Sequence, residues 1–272
     1  MVQSQTVLRG PDPRAGTHHV PDVPDTAPIL SIVIPTYNER ARLGDLVERV
    51  SETFRTNGIA GEIVIVDDNS PDGTGAFAEE LAVRLPVRVV HRPGKLGLGT
   101  AVIDGFAAAR GNVFGVMDAD LSHPPAVLPR MLDALDRHQA DLVIASRYIP
   151  GGGINNWPMV RRAMSRFACL LARPLTAARD ATSGYFLIRR HATEDVRIQA
   201  RGFKICLELI VRGHARTIVE VPYEFTDRAA GESKMNWREA TGYFRQVYDL
   251  YRYSREHPRK QTYQRASAPD GR

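Results

Sequence analysis

Short apolar runs alternate with longer helical patterns through the middle of the chain, and this alternation constrains the fold most. Five runs are short, β-branched and bounded by turn residues, as is typical of buried strands: Leu30–Ile34, Glu62–Val66, Val87–Val90, Val113–Met117 and Leu142–Ala145. Between them apolar residues recur at helical spacing, first at Leu43, Leu46, Val47, Val50 and Phe54. Strand and helix in alternation predict an α/β fold whose mainly parallel sheet is flanked by helices.

The two ends of the chain lack this pattern. Residues 1–28 hold five prolines among polar residues and are predicted to be a disordered arm, and residues 256–272 a flexible tail. One domain is therefore expected over 29–255. The composition, 43% apolar and 25% charged, is that of a globular protein. The two cysteines, Cys169 and Cys206, are too few for a disulfide scaffold or a four-cysteine zinc site.

The charge of the chain predicts an anionic partner. The net charge is +5 and the isoelectric point about 9.4, which suits a nucleic acid, a nucleotide or a lipid surface. No stretch approaches the ~20 apolar residues of a membrane-spanning helix. The first residues lack a basic segment followed by an apolar core, so no signal peptide is expected and the predicted location is cytoplasmic.

Polar clusters follow three of the predicted strands, at 35–39, 66–74 and 117–124. Ligands of parallel sheets bind at the carboxyl ends of the strands, so each cluster lies where a site is expected. Asp118 and Asp120 stand two residues apart on an extended segment and point the same way. Two such carboxylates repel each other unless a cation neutralises them. Their oxygen atoms favour Mg²⁺ or Mn²⁺, and Mg²⁺ commonly bridges to a substrate phosphate.

Other features have simpler interpretations. Asp72 is predicted to cap a helix. The glycine-rich segment 94–100 is not a phosphate loop, because its lysine precedes the glycines, and Val102 occupies the third glycine position of a dinucleotide fingerprint. His123, beside two prolines, is predicted to be structural and not a base or a metal ligand.

Seven motifs follow one another in order over roughly residues 29–255: PTYNE, VDDNSPDGT, GKLGLGTA, DADLSHPP, SRYIPGGG, TSGY and GESK. Together they resemble the polyprenol (dolichyl) phosphate mannose synthases, which are inverting, metal-dependent glycosyltransferases. The resemblance implies a GT-A (Rossmann-like) fold with amphipathic interfacial helices. It also implies transfer of mannose from GDP-mannose to a polyprenyl phosphate lipid, giving polyprenyl-phosphate-β-mannose and GDP with Mg²⁺ or Mn²⁺.

The resemblance assigns roles to individual residues. The guanine and ribose of GDP-mannose would contact Pro35, Tyr37, Glu39, Val66 and Asp68. The metal on the diphosphate would be held by Asp118 and Asp120, with Ala119 alongside. The acceptor phosphate would be bound by Arg147, Arg161 and Ser165. A mobile loop would close over the diphosphate through Arg228 and Lys234. Some relatives carry Gln where Ser122 stands.

The chemistry of such a transfer agrees with these residue types. A departing nucleoside diphosphate is stabilised by a divalent cation together with arginine and lysine. A polyprenyl monophosphate has a second pKa near ~6 and is largely a dianion at neutral pH, so it needs no general base. This chemistry suits Arg147 and Arg161, with Arg162 as a further candidate, since arginine binds phosphate bidentately. Arg162 and Arg166 equally fit the solvated face of a helix. Direct in-line attack would invert the anomeric centre.

Two segments mix apolar residues with arginines, around 159–171 and over 237–251. Either segment would suit a helix lying in the membrane interface, and the second would equally suit a helix packed on the sheet. The resemblance therefore implies peripheral attachment to the cytoplasmic face of a membrane, or attachment through a membrane-anchoring partner protein.

Three alternatives stay open at this point. The nearest is a polyprenyl-phosphate glycosyltransferase that uses another nucleotide sugar, such as UDP-glucose or UDP-N-acetylglucosamine. A transferase to a sugar hydroxyl would need a carboxylate base and, if processive, a Gln-x-x-Arg-Trp motif, which the chain lacks. The third is a non-catalytic module that binds a nucleotide or a nucleic acid. The presence of both Asp118 and Asp120 disfavours the nucleotide-binding module, and the lack of stacking aromatics between the arginines at the strand ends disfavours the nucleic-acid-binding one.

Overall fold

The computed structural model describes residues 6–7, 29–198, 204–226 and 237–266. The strands are β1 (Thr6–Val7), β2 (Leu30–Thr36), β3 (Gly61–Asp67), β4 (Val87–His91), β5 (Val113–Val116), β6 (Leu142–Ser146), β7 (Gly153–Asn155), β8 (Phe186–Arg189), β9 (Arg197–Ile198), β10 (Thr217–Pro222), β11 (Glu224–Thr226) and β12 (Thr262–Arg265). The helices are α1 (Arg40–Thr56), α2 (Thr74–Ala82), α3 (Leu98–Ala108), α4 (Leu128–Arg137), α5 (Met159–Leu171), α6 (Ile205–Arg212) and α7 (Trp237–Glu256).

Eight strands form the central sheet, in the order β12-β10-β6-β8-β5-β2-β3-β4. Neighbours run parallel except at β8, which is antiparallel to both β5 and β6. The mainly parallel sheet predicted from the alternating pattern is therefore confirmed. The prediction did not include β8, which is a run of only four residues.

Helices cover both faces of this sheet. On one face α1, α2 and α4 pack over a core that includes the five apolar residues of α1 whose spacing predicted that helix. On the other face α3 and α6 pack over a second core, which also receives Leu250 from α7. The inner strands β2, β3, β5, β6 and β8 are almost wholly buried between these two layers.

The last described segment differs from the predicted loose tail. β12 pairs in parallel with β10 and extends the sheet at its edge. The Tyr263 hydroxyl donates a hydrogen bond to the carboxylate of Glu220, a fully buried residue of β10. Gln261 donates from Nε2 to the carbonyl of Ile210 at 2.7 Å. Of the predicted N-terminal arm, only Thr6–Val7 is described, and it pairs with β9.

Close packing of α3 against β2 requires a glycine at position 105. A Cβ built there would lie 2.3 Å from Cγ1 of Val33 and 3.1 Å from Cγ2 of Val66. We expect Gly105→Ala to lower the free energy of unfolding by about 1–3 kcal/mol, since overpacking outweighs the gain in helix propensity. The matched control is Gly242→Ala on α7, where a Cβ meets no atom within 4 Å. This control should raise the stability by up to about 1 kcal/mol. Urea unfolding measures both, and equal effects would contradict the prediction.

Candidate active site

Three polar loops meet at one edge of the sheet, because the strands that precede them, β5, β2 and β3, are neighbours. Each loop turns sharply through a residue with positive φ, at Asn38 (60°), Asn69 (55°) and Leu121 (65°). Asparagine adopts this conformation readily, whereas a leucine there is uncommon. Such backbone conformations cluster at functional sites, and the sequence clusters predicted to form one site do come together here.

Asp118 and Asp120 follow β5 at this edge. The Asp118 side chain is 41% exposed, and Oδ1 of Asp120 accepts a hydrogen bond from the backbone N–H of Ser122 at 3.0 Å. Ser122 is 1% exposed, yet its hydroxyl has no hydrogen-bond partner among the described residues. A buried hydroxyl without a partner is unusual and indicates space for a ligand atom. The loop thus offers two carboxylates and one unused oxygen.

This donor set fits a divalent cation that is shared with a substrate. Within the described parts of the chain, no three His, Cys, Asp or Glu side chains lie together as a complete metal cage. A cage is not needed, since Mg²⁺ typically binds through one or two carboxylates and completes its shell with water and substrate phosphates. Hard oxygen donors also suit Mn²⁺.

The buried His123 side chain packs against the loop that follows β5. It is 2% exposed, its Nδ1 accepts a hydrogen bond from the backbone N–H of Asp118 at 3.1 Å, and its ring stacks on Tyr185. Burial lowers the pKa of His123, against the opposing effect of the Asp118 and Asp120 carboxylates. The imidazole is therefore neutral at neutral pH and positions the backbone of the metal-binding segment, in agreement with its predicted structural role.

The loop after β2 carries the residues predicted to contact the nucleotide base. Pro35 is half-buried at the end of β2, and the Tyr37 ring is 38% exposed. The Lys95 ammonium lies 4.3 Å from the centroid of that ring, so the glycine-rich segment contributes a cation at this edge. Glu39 lies just before α1 and donates its backbone N–H to the Thr74 hydroxyl at 3.0 Å. Sequence reasoning discounted the Lys95 segment because its spacing matched no phosphate loop.

The loop after β3 is held by a buried ion pair. Asp68 accepts a hydrogen bond from Arg92, whose Nε also lies 2.9 Å from Asp104 Oδ2. Arg92 is thus a site residue that the motifs did not single out. The Val66 side chain is fully buried in the core, so only its backbone is able to contact a nucleotide. Asp72 accepts hydrogen bonds from the backbone N–H groups of Thr74 and Arg40. The N-cap of α2 is Gly73, however, so the prediction that Asp72 caps this helix was wrong by one residue.

Arg147, which follows β6, is engaged by a partner that the sequence analysis missed. Asp180 is fully buried and accepts three hydrogen bonds from Arg147: from the backbone N–H at 2.9 Å, Nε at 2.8 Å and Nη2 at 2.7 Å. Burial by itself would lower the pKa of Arg147, but the Asp180 carboxylate outweighs it and raises that pKa. One edge of the guanidinium is therefore occupied, and only Nη1 has no hydrogen bond to a described residue.

The other predicted acceptor residues lie on α5. The Arg161 guanidinium lies 4.0 Å from the ring centroid of Trp157, and Ser165 follows one turn later. Arg162 donates from Nη2 to the carbonyl of Ile154 at 2.8 Å and so has a structural contact. Arg228 and Lys234 lie outside the described residues. Lys204, just before α6, is a further half-buried cation, and desolvation lowers its pKa.

Comparison with known proteins agrees with this geometry. Residues 31–197 match the profile of glycosyl transferase family 2. A dolichol-phosphate mannosyltransferase of Pyrococcus furiosus is 41% identical over 231 residues, which cover 84% of this chain and 65% of that protein. The chain thus spans slightly less than two thirds of the length of this relative. A polyprenol monophosphomannose synthase of Mycolicibacterium smegmatis is 44% identical over 77% of this chain and 83% of its own length.

Solved structures share the architecture at low sequence identity. A mannosyltransferase from Pyrobaculum calidifontis, in complex with GDP-Man and Mn²⁺, superposes with a TM-score of 0.59 at 17% identity, covering 85% of this chain and 67% of that chain. At this identity the likeness establishes the fold alone, a mainly parallel sheet flanked by helices. The family profile and the sequence relatives together show that the chain belongs to glycosyl transferase family 2.

Proposed function

We propose that this chain transfers mannose from GDP-mannose to a polyprenyl or dolichyl monophosphate, with inversion and release of GDP. The observation that carries the proposal is the pair of carboxylates, Asp118 and Asp120, at a sheet edge that also carries Arg92 and Arg147, each held in a buried ion pair. The relatives of the chain at 41–44% identity are named for this transfer. A lipid phosphate and a nucleoside diphosphate are both anions, and this edge supplies the opposite charges for both.

On the donor side, Tyr37 and Asp68 would position the guanine and ribose. Asp68 is already held by Arg92, so it needs no reorganisation when a nucleotide binds. Asp118 and Asp120 would hold Mg²⁺ or Mn²⁺ on the diphosphate. Bound there, such a cation would stabilise the negative charge of departing GDP.

On the acceptor side, Arg147, Arg161 and Ser165 would bind the lipid phosphate. Because Asp180 occupies one edge of Arg147, that arginine would offer the phosphate a single donor, Nη1, in a fixed position. Arg161, which stacks on Trp157, would supply the second cation. An acceptor oxygen held on this side would attack the anomeric carbon opposite the departing diphosphate, which inverts the centre.

Two titratable residues near Arg147 and the metal-binding loop, Asp180 and His123, are not free to act as a base, which favours a phosphate acceptor over a sugar hydroxyl. Asp180 is bound to Arg147, and His123 is neutral, buried and occupied by a backbone N–H. A dianionic phosphate attacks without giving up a proton, whereas a hydroxyl needs a free carboxylate. This distinction supports the lipid phosphate as acceptor, but it leaves the identity of the donor sugar to experiment.

An exposed apolar patch supports peripheral attachment to a membrane. It consists of eight residues on two helices, Met159, Val160, Met164, Phe167 and Leu170 on α5 and Phe244, Tyr248 and Tyr251 on α7. The rings of Phe167 and Phe244 are 6.5 Å apart, so the two helices present one surface. Such surfaces insert into the headgroup region of a bilayer. No described helix is long and apolar enough to cross a membrane.

The same helix α7 also packs on the protein. Tyr243 and Val247 contact the core, and the Tyr243 hydroxyl donates to the carbonyl of Ala168 on α5 at 2.7 Å. One face of α7 therefore packs on the protein, and we propose that the opposite face lies in the membrane interface. The side chains of Trp237 and Ala240 lie outside the described residues.

A radiolabel assay tests the proposed transfer. GDP-mannose, UDP-glucose and UDP-N-acetylglucosamine are offered in turn with a short-chain polyprenyl phosphate, and label in the organic phase is counted. Label from GDP-mannose alone would support the proposal. Label from a UDP-sugar instead would establish the alternative donor, and label on a soluble sugar without lipid would contradict the acceptor class.

Arg161→Ala should impair use of the lipid phosphate more than use of the donor. Removing one charged contact to phosphate should raise the KM for polyprenyl phosphate by roughly 10-fold or more, because such hydrogen bonds contribute about 1.5–3 kcal/mol. The KM for GDP-mannose should change less than twofold. Initial rates measured against each substrate separately give both constants. An equal rise in KM for both substrates would contradict an acceptor-specific role for Arg161.

A further inference from the structure

A cavity of about 540 Å³ lies between α5 and the loop that follows β6. Its polar lining consists mainly of arginines and a tyrosine, at Arg147, Tyr148, Arg166, Arg173 and Arg179. Arg161 and Ser165 are not part of this lining. The cavity therefore shares Arg147 with the proposed acceptor site, whereas its other lining side chains are different.

The cavity carries an excess of positive charge. Arg147 is neutralised by Asp180, but Arg166, Arg173 and Arg179 have no carboxylate within ion-pair distance among the described residues. Cys169, which also lines the cavity, contributes no negative charge, because burial raises the pKa of its thiol to about 11. Three uncompensated guanidinium groups around one cavity favour an anion with several oxygen atoms.

The three arginines are exposed residues that the fold anchors at the cavity. The backbone N–H of Arg179 donates to Oε2 of buried Glu220 at 2.9 Å, which holds this residue at the cavity wall. Arg173 donates from Nη1 to the carbonyl of Ala177 at 2.9 Å, and the Arg166 guanidinium lies 5.9 Å from the centroid of the Tyr148 ring. Burial raises the pKa of Tyr148, and a hydrogen bond with Ser165 partly opposes this effect. The tyrosine thereby connects the cavity to a residue of the proposed acceptor site.

The cavity also opens onto hydrocarbon-binding surface. Leu170 lines it and is at the same time 63% exposed as a member of the apolar patch. Phe167 lies about one turn before Leu170 on α5 and contacts Phe244, so it continues the apolar patch along this helix. A ligand bound here would therefore place its charged end among arginines and its apolar part on the patch, which describes a lipid with a phosphate group.

We propose that this cavity is a binding subsite for a lipid phosphate group, with Arg166, Arg173 and Arg179 on the phosphate oxygens and Leu170 leading its hydrocarbon to the apolar patch. The class of ligand rests on the proposed function, whereas the choice of residues rests on the cavity. The phosphate comes from one of two sources, the acceptor lipid or an anionic phospholipid of the surrounding membrane.

Binding without catalysis tests the subsite. Calorimetry with citronellyl phosphate, in the absence of donor and metal, compares the wild type with Arg173→Gln/Arg179→Gln. Removing two charged contacts should weaken the Kd at least about 10-fold. The matched control, Arg49→Gln/Arg55→Gln, removes the same charge from exposed positions on α1 and should bind as the wild type does. Melting temperatures verify folding, and Arg166→Gln replaces the double variant if that variant melts early.

Vesicle sedimentation distinguishes the two sources. Vesicles of phosphatidylcholine alone are compared with vesicles that also contain phosphatidylglycerol or polyprenyl phosphate. If the Arg173→Gln/Arg179→Gln variant binds citronellyl phosphate and polyprenyl phosphate vesicles more weakly than the wild type does, the subsite belongs to the acceptor lipid. If the variant binds only the phosphatidylglycerol vesicles more weakly, the subsite belongs to the phospholipid of the membrane. Unchanged binding in calorimetry and on every vesicle overturns the proposal. A wild-type chain that binds these lipids but transfers no mannose would contradict the proposed function and leave the subsite standing.

Discussion

Asp120→Asn should reduce mannose transfer by roughly 100- to 1000-fold, the effect expected when a group that stabilises transition-state charge is removed. Asparagine keeps an oxygen that accepts the Ser122 backbone N–H, so the turn after β5 should persist. The variant loses the negative charge that would attract a divalent cation. Half-maximal activity should therefore require a much higher concentration of Mg²⁺ or Mn²⁺. Initial rates across a metal titration measure both effects.

The control for this variant is Asp133→Asn, which removes the same charge from an exposed position on α4. Its rate and metal dependence should match those of the wild type. Melting temperatures of the two variants should agree within a few degrees. A near-wild-type rate of Asp120→Asn at ordinary metal concentrations would contradict the proposal that Asp120 holds the metal. It would also contradict the proposed stabilisation of departing GDP.

Asp180→Ala should destabilise the protein by about 3–5 kcal/mol, because it leaves the buried Arg147 without its counterion. The same change should abolish transfer, since Nη1 of Arg147 would no longer be held in place. Asp180→Asn, which retains acceptor capacity on one oxygen, should be the milder variant in both respects. Urea unfolding and the radiolabel assay measure the two losses.

A double variant separates stability from function at this pair. Arg147→Met/Asp180→Leu replaces the ion pair by apolar side chains, and such replacements often recover most of the stability that a single deletion loses. We expect the free energy of unfolding to return towards that of the wild type while transfer stays absent. If transfer returned with stability, Arg147 would have no direct role with the acceptor, and Asp180 would matter only for folding.

Much of the fold could be predicted because it is encoded locally. The apolar spacing of α1 predicted the residues that it buries, and the β-branched runs predicted β2 to β6 within one or two residues. β12 could not be predicted in this way. Its four residues, Thr262–Arg265, carry no apolar alternation, and they form a strand only because β10 offers an unpaired edge. Tyr263 and Glu220 then join across that edge.

The candidate site was likewise predictable only in part from the sequence. The sequence by itself determined which loops carry acidic and polar residues at the strand ends, because hydrophobic periodicity and motif order are local properties of the chain. Only the tertiary structure decided which charges are already paired. Arg147 meets Asp180 across 33 residues of sequence and Asp68 meets Arg92 across 24, whereas three arginines at the cavity meet no described carboxylate. Such pairings depend on how distant segments pack, and no local pattern encodes that arrangement.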